Sequence, residues 1–196
     1  MFELLPIQRE AVEWALDAFK AHKGLLLADT PGVGKSGPAL DLIKRVNGKS
    51  LIICPAYIVY NWTVEAEKWG VEKKICVIDA GNQIIEKTAE VFIVPYSRII
   101  NPNILKQLLK LEFALTVLDE SHFVKAWNSR RSRYILGTRQ NKKSNILAVS
   151  KRMLLLSGTP ILRSIEDLYN VIIRIAPEVL NHMTAIDFYN EFAARV

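Results

Sequence analysis

The sequence predicts an α/β fold in which a mostly parallel sheet is covered by helices on both faces. Three observations carry this expectation. Six short runs rich in Leu, Ile and Val lack the polar alternation of a half-exposed sheet. Amphipathic segments with helical spacing separate them. The most chemically pointed clusters, at 29–36, 119–122 and 157–160, each follow directly on such a run, and ligands of open parallel sheets bind at the carboxyl ends of strands.

Taken in order, residues 6–23 read as a helix with Ile7, Ala11, Trp14, Ala15, Ala18 and Phe19 on one stripe. Pro6 suits its first turn and Gly24 its C′ position. A strand at 25–28 leads through a glycine-bearing turn into a helix at 35–46. Pro38 falls in its early turns, where a missing N–H costs least. A strand at 50–54 ends at Pro55, and the next helix carries Val59, Trp62, Ala66 and Trp69 on one side. Strands at 74–79 and 91–96 precede a short amphipathic helix at 102–111, and a fifth strand spans 113–118. Residues 130–136 read as helix, 137–145 as a polar surface loop and 153–156 as the sixth strand. Ser164-Ile-Glu-Asp167 is a capping-box signal for a helix striped by Ile165, Leu168, Tyr169, Ile172 and Ile175 and ended by Pro177. A second such signal, Thr184-Ala-Ile-Asp187, opens one more helix.

Half of the 196 residues are hydrophobic, enough to bury a core without disulfides or metals. Cys54 and Cys76 sit in apolar strand-like runs and are expected as reduced core thiols. With no apolar run of membrane-span length and an N-terminus unlike a signal peptide, an intracellular location is expected, cytoplasmic or, in a eukaryote, nuclear, with no membrane partner. The net charge is +6, yet residues 121–165 hold ten Lys or Arg and no acid, so the rest of the chain carries 6 − 10 = −4. Such a segment suits a polyanionic partner such as nucleic acid, or is a solvated face with a lysine-rich loop.

The glycine-bearing turn explains itself by phosphate binding. Gly32 and Gly34 let the backbone pass close to a polyphosphate, with a helix opening behind them. Lys35 would reach the β- and γ-phosphates and the Ser36 hydroxyl would hold Mg²⁺. The strict pattern wants glycine six residues before Lys35, where this chain has Asp29. Such a site needs a second acidic element, and Asp119, at the end of a hydrophobic strand, suits it. Glu120 beside it would polarise an attacking water. The combination points to nucleotide hydrolysis, or to nucleotide binding without turnover. His122 reads as a coupling residue or a polar cap, and has no His or Cys partner at metal-ligand spacing.

These residues together resemble the first RecA-like domain of superfamily-2 helicases, specifically the Swi/Snf-type DNA translocases, over almost the whole chain and in order. Leu5-Pro-Ile-Gln8 with Trp14 resembles the adenine-reading Q motif. Residues 28–36 resemble Ala-Asp-x-x-Gly-x-Gly-Lys-Thr, in which Asp29 is expected. Ile53-Cys-Pro55 with Asn61-Trp62 resembles motif Ia. Asp119-Glu-Ser-His122 with Lys125 resembles the DEAH-type motif II, nearest the annealing-helicase (HARP-like) branch. Ser157-Gly-Thr-Pro160 with Leu168-Tyr169 resembles motif III and its following helix, and residues 188–195 the segment before the family's second half.

The resemblance implies a RecA-like P-loop three-layer sandwich at 1–177, with a helical extension at 178–196 leading toward a second lobe. It implies that Gln8 contacts adenine and that Asp29, Gly32, Val33, Gly34, Lys35 and Ser36 hold ATP. Asp119, with Ser36, would organise Mg²⁺, and Glu120 would activate water. His122, Ser157 and Thr159 would couple ATP state to DNA grip. Pro55, Asn61 and Ser97 would lie near the phosphates of duplex DNA, joined by Arg130 and Arg131 of the basic segment. Trp62 reads equally as core or as a DNA contact. The chain departs from the family pattern at Thr30-Pro31, Gly37-Pro38, Ala126-Trp127-Asn128 and Arg163. No second RecA-like lobe is found in it, so the expected partners are DNA and a second lobe supplied in cis or in trans. A non-catalytic nucleotide- or DNA-binding interaction module is the alternative.

Overall fold

The computed structural model describes residues 2–29, 32–124, 126, 128–138, 144–158 and 165–192, without the side chains of 165, 166 and 192. In chain order come α1 (Pro6–Ala18), β1 (Gly24–Leu27), α2 (Ser36–Arg45), β2 (Lys49–Cys54), α3 (Val59–Lys68), β3 (Ile75–Val77) and β4 (Val91–Pro95). They are followed by α4 (Tyr96–Ile99), α5 (Pro102–Leu108), β5 (Phe113–Leu118), α6 (Arg130–Leu136), β6 (Ser150–Leu156), α7 (Ile165–Ile175) and α8 (Ala185–Phe192). The six strands form one sheet in the order β1-β6-β5-β2-β4-β3, and every pairing is parallel. The α/β class expected from the sequence is the one observed.

Successive side chains of a strand point to opposite faces, so an unbroken apolar strand feeds two cores at once. Leu51 and Ile53 of β2 pack with Ile99 of α4, Leu108 of α5, Ile135 of α6 and Ile175 of α7. Ile52 and Cys54 of the same strand pack with Val12 and Ala15 of α1, Leu40 and Ile43 of α2, and Trp62 of α3. This is a three-layer arrangement. It also separates the two thiols: Cys54 belongs to one core and Cys76 to the other, and both are buried and free.

The register sets where the strands end. Leu27 of β1 pairs with Leu156 of β6, Leu118 of β5 with Leu155 of β6 and Ile53 of β2, and Cys54 with Pro95 of β4. Because all strands run one way, the loops after β1, β6, β5, β2 and β4 leave the same edge in that spatial order.

Some local expectations are corrected. The first helix stops at Ala18 rather than at 23, because Lys20 and Ala21 donate to carbonyls three residues back and tighten the final turn. Gly24 is no helix cap but the first residue of β1. A Cβ there would stand 2.4 Å from the Cβ of Ile175, so α7 crosses directly over the bare strand start. Strand β6 begins at Ser150, three residues early, because the Ser150 hydroxyl is satisfied inside by Thr116 at 2.7 Å and by the Ile146 carbonyl at 2.7 Å. The short α4 directly after β4 was not anticipated. At the C-terminal end, Thr184 and Asp187 form the expected capping box, with Thr184 N–H donating to Asp187 Oδ2 at 2.9 Å and Asp187 N–H to Thr184 Oγ1 at 3.2 Å. The companion signal at Ser164 lies outside the described residues.

Candidate functional site

The site is built at the shared carboxyl edge. After β1, Gly32 (φ 91°) and Gly34 (φ 76°) take left-handed backbone conformations that cost glycine little. Lys35 follows, and α2 opens at Ser36. The Lys35 amine folds back across the loop and donates to the Asp29 carbonyl at 2.9 Å. On the other side stands the buried Gln8 of α1. Its Oε1 accepts the Leu5 N–H at 3.0 Å, which caps its own helix, and its Nε2 donates to the carbonyls of Val33 at 2.9 Å and Gly34 at 3.2 Å. Gln8 is thus a strut from the start of α1 to the glycine loop.

After β5, Asp119 is held on every side. Its N–H donates to the Ile53 carbonyl at 2.8 Å, and its own carbonyl accepts the Tyr96 hydroxyl at 2.9 Å. Its Oδ1 accepts the Glu120 N–H at 2.9 Å and its Oδ2 the Trp62 indole N–H at 2.9 Å. Burial pushes the Asp119 carboxyl above its ordinary range. The neighbouring Glu120 charge adds to that, while the Trp62 bond, the Glu120 N–H and the Lys35 charge oppose it. The same burial, reinforced by Asp119, pushes the Cys54 thiol up to about 12, so Cys54 is an inert core thiol. Glu120 sits at φ 50°, a left-handed conformation uncommon for a residue with a side chain. Its Oε2 lies 3.1 Å from His122 Nδ1, but without hydrogen-bond alignment, so that nitrogen has no hydrogen-bond partner.

Between these elements lies a cleft of roughly 470 Å³ whose lining includes Gly32, Gly34, Lys35, Ser36, Asn61, Trp62 and Asp119. Glycine loop and acidic strand end therefore face one space. Among the described residues no group of three or more His, Cys, Asp or Glu is placed to hold a metal. The Ser36 hydroxyl and the Asp119 carboxylate, which keeps acceptor capacity beyond its two hydrogen bonds, do fit a Mg²⁺ ion. Such an ion commonly takes one or two protein oxygens and completes its shell with phosphate and water.

Of the residues singled out in the sequence, Gly32, Gly34, Lys35, Ser36 and Asp119 are brought together. Val33 and Asp29 take part through their carbonyls, and Glu120 and His122 stand beside them. Ser157 is buried where β6 ends between β1 and β5, its N–H donating to the Leu27 carbonyl at 3.1 Å. Thr159 and Lys125 lie outside the described residues. Asn61, expected near the DNA phosphates, stands on the lining of the cleft. Pro55 is buried after β2, and Ser97 is exposed in α4. Among the described residues, the basic segment is divided between two places. Arg130, Arg131 and Arg133 ride on α6, whereas Lys151 and Arg152 stand at the opposite, amino edge of the sheet on β6. Arg130 is exposed, but the Arg131 guanidinium lies over the Phe123 ring, 5.4 Å from its centroid. The bonds from Trp62 and Tyr96 to Asp119 were missed, because nothing local to either aromatic says which strand end its polar tip will meet.

Residues 7–195 match the sequence profile of the SNF2-related domain. The human DNA annealing helicase and endonuclease ZRANB3 is 29% identical over 190 residues, covering 93% of this chain and 17% of that protein. The chromatin structure-remodeling complex subunit snf21 of Schizosaccharomyces pombe is 25% identical over 203 residues, covering 94% of this chain and 16% of that protein. The chain thus spans about a sixth of the length of these relatives. Among solved structures, the Sulfolobus solfataricus SWI2/SNF2 ATPase core in complex with dsDNA superposes with a TM-score of 0.75 at 24% identity, over 98% of this chain and 39% of that one. The likeness identifies the fold as the RecA-like α/β sandwich.

Proposed function

The chain belongs to the SNF2-related domain family, and from that premise we propose that it is the ATP-binding lobe of a DNA-dependent ATPase and translocase. The observation that carries the proposal is the single cleft shared by Lys35 and Ser36 behind β1 and Asp119 at the end of β5. Gly32, Val33 and Gly34 offer backbone to a polyphosphate, and the Lys35 amine, now on the Asp29 carbonyl, swings to the β- and γ-phosphates. Ser36 and Asp119 hold the magnesium ion, which supplies charge neutralisation on the phosphate oxygens. Glu120 orients water and accepts its proton. Gln8 reads adenine by releasing one of its amide hydrogens from the loop. His122, Ser157 and Thr159 pass the state of the cleft to the neighbouring strand ends, and Pro55, Asn61, Ser97, Arg130 and Arg131 meet the backbone of duplex DNA.

Phosphoryl transfer to water needs cations on both sides of the transferred group. This chain supplies Lys35 on one side. A second RecA-like lobe, in cis or in trans, supplies the other. An arginine finger is worth on the order of 10³–10⁵ in rate in related enzymes, so residues 1–196 alone turn over ATP barely above background. Calorimetry of Mg²⁺·ATP with the wild-type chain and with Lys35→Ala tests the site: binding is expected only in the first, and equal affinity refutes it. Supplying a compatible second lobe tests the reaction. DNA-stimulated hydrolysis is expected to appear and to be lost in Glu120→Gln, and strong turnover by the chain alone contradicts the two-lobe requirement.

A further inference from the structure

Trp62 is a buried residue of α3, only 3% exposed, yet it lines the cleft. Its indole N–H has one protein acceptor, the Asp119 Oδ2 at 2.9 Å. The other carboxylate oxygen is held from the main chain by the Glu120 N–H at 2.9 Å. The two donors come from different elements, α3 and the turn after β5, so together they fix the carboxylate plane, which either bond alone leaves free to rotate. The backbone of Asp119 is already pinned by Ile53 and Tyr96. Side-chain rotation is therefore the freedom left at this position, and Trp62 is the side chain that removes it.

We propose that Trp62 is a positioning residue, which presents the Asp119 carboxylate to the cleft in the orientation that a magnesium–nucleotide complex requires. The proposal rests on the nucleotide reading above and assigns Trp62 a task that is neither core filling nor DNA contact. The shape of the indole serves both ends: its rings anchor α3 among Val59, Ala66 and the strands beneath, and its one donor leaves that apolar setting at the carboxylate. Phenylalanine keeps the first property and lacks the second.

The test uses the magnesium dependence of ADP binding, measured as the ratio of Kd in EDTA to Kd in Mg²⁺, for the wild type, Trp62→Phe, Asp119→Ala and the double variant. A hydrogen bond to a charged group corresponds to about a tenfold change in equilibrium. Trp62→Phe is expected to lower the ratio by about tenfold, and to lower it no further when Asp119 is already alanine. A ratio that stays at the wild-type value, or that Trp62→Phe lowers equally in the Asp119→Ala background, overturns the proposal. The indole N–H resonance of Trp62 gives a second readout that does not depend on the folding of Trp62→Phe. In Asp119→Ala it is expected to shift and to exchange with solvent at least about tenfold faster, as for a donor that has lost a charged acceptor. An unchanged resonance also overturns the proposal. A wild-type chain whose ADP affinity ignores Mg²⁺ overturns the nucleotide reading itself, and the positioning role with it. A large wild-type ratio that Trp62→Phe leaves intact removes only the positioning role.

Discussion

The side-chain amide nitrogen of Gln8 stands 2.7 Å from the point where a Cβ on Gly34 would lie. Gly34 is thus constrained twice, by its backbone at φ 76° and by the strut that closes the glycine loop. Gly32, at φ 91°, has open space where its Cβ would project. The two glycines should therefore respond differently to alanine. Gly32→Ala costs about 1–2 kcal/mol of backbone strain. Gly34→Ala also pushes aside the tip of Gln8 and so costs its amide hydrogen bonds to Val33 and Gly34, about 0.5–1.5 kcal/mol each, and misshapes the loop. Urea denaturation should rank Gly34→Ala well below Gly32→Ala in stability, and replacing Gln8 with alanine should recover part of the difference. Equal losses at the two glycines would mean that the strut yields freely.

A second close approach ties the sheet to its last covering helix. The Cβ of a residue at 24 would lie 2.4 Å from Ile175 Cβ and 3.2 Å from its Cα, and a backbone atom cannot step aside as a side-chain tip can. Gly24→Ala should cost about 1–3 kcal/mol by overpacking. Ile175→Ala should cost about 2–5 kcal/mol by emptying a buried site. Alanine keeps the Cβ that lies 2.4 Å away, so these two should cost nearly their sum, whereas Ile175→Gly removes that Cβ and should make its pair with Gly24→Ala cost less than the sum. Strict additivity in the cycle with Ile175→Gly would show that α7 moves off β1 rather than packing on it.

The strands were legible because unbroken runs such as Leu51, Ile52 and Ile53 leave no exposed face to assign. The glycine-bearing loop and the acidic strand end were legible because each is a local string. What hid was non-local. Gly24 resembles a helix cap in sequence, and only Ile175, far along the chain, makes it a packing site. Gly37 departs from the family pattern for a similar reason: a Cβ there would stand 2.6 Å from the Trp69 ring, so glycine makes room for the indole that α3 lays against α2. Trp62 announced a buried stripe and not its acceptor just after β5. The basic segment counted as one in the sequence, and the direction of β6 places Lys151 and Arg152 at the edge away from the cleft.

Asp119 gives the pH dependence its sign. Its carboxyl lies above its ordinary value in the folded chain, chiefly through burial. Between the unfolded value near 3.8 and the raised folded value, the folded state binds more protons than the unfolded one. Stability from this group is therefore lost as pH rises through that window. Asp119→Asn cannot titrate, and it also loses one of the two hydrogen bonds that the carboxylate accepts, an offset that does not vary with pH. Measured without nucleotide or Mg²⁺, the stability of Asp119→Asn relative to the wild type should climb as pH rises from 4 to 7, whatever its starting offset. A flat or falling difference would contradict the burial of this charge.

Arg130 and Arg131 separate what a cation does for the fold from what it does for a polyanion. Phe123 stacks on Tyr96 at 5.2 Å and on His122 at 4.7 Å, and Arg131 covers its ring at 5.4 Å. The Tyr96 hydroxyl in turn holds the Asp119 carbonyl. Arg131 is thereby the outer member of a stack that reaches the acidic strand end, whereas Arg130 is exposed one position earlier. A partly buried cation–π contact contributes about 0.5–2 kcal/mol, so Arg131→Ala should lower stability by that amount. Arg130→Ala, at a solvated position, should change it by less than about 0.5 kcal/mol. If α6 meets duplex DNA, each phosphate contact removed should reduce the slope of log K against log salt by about 1. Arg130→Ala is expected to lower that slope with stability intact. Arg131→Ala should lower stability first, and Arg131→Lys should not restore it fully, because an ammonium does not lie flat on a ring as a guanidinium does. A slope unmoved by Arg130→Ala would leave α6 outside the DNA footprint, and a stability unmoved by Arg131→Ala would break the stack as an energetic unit.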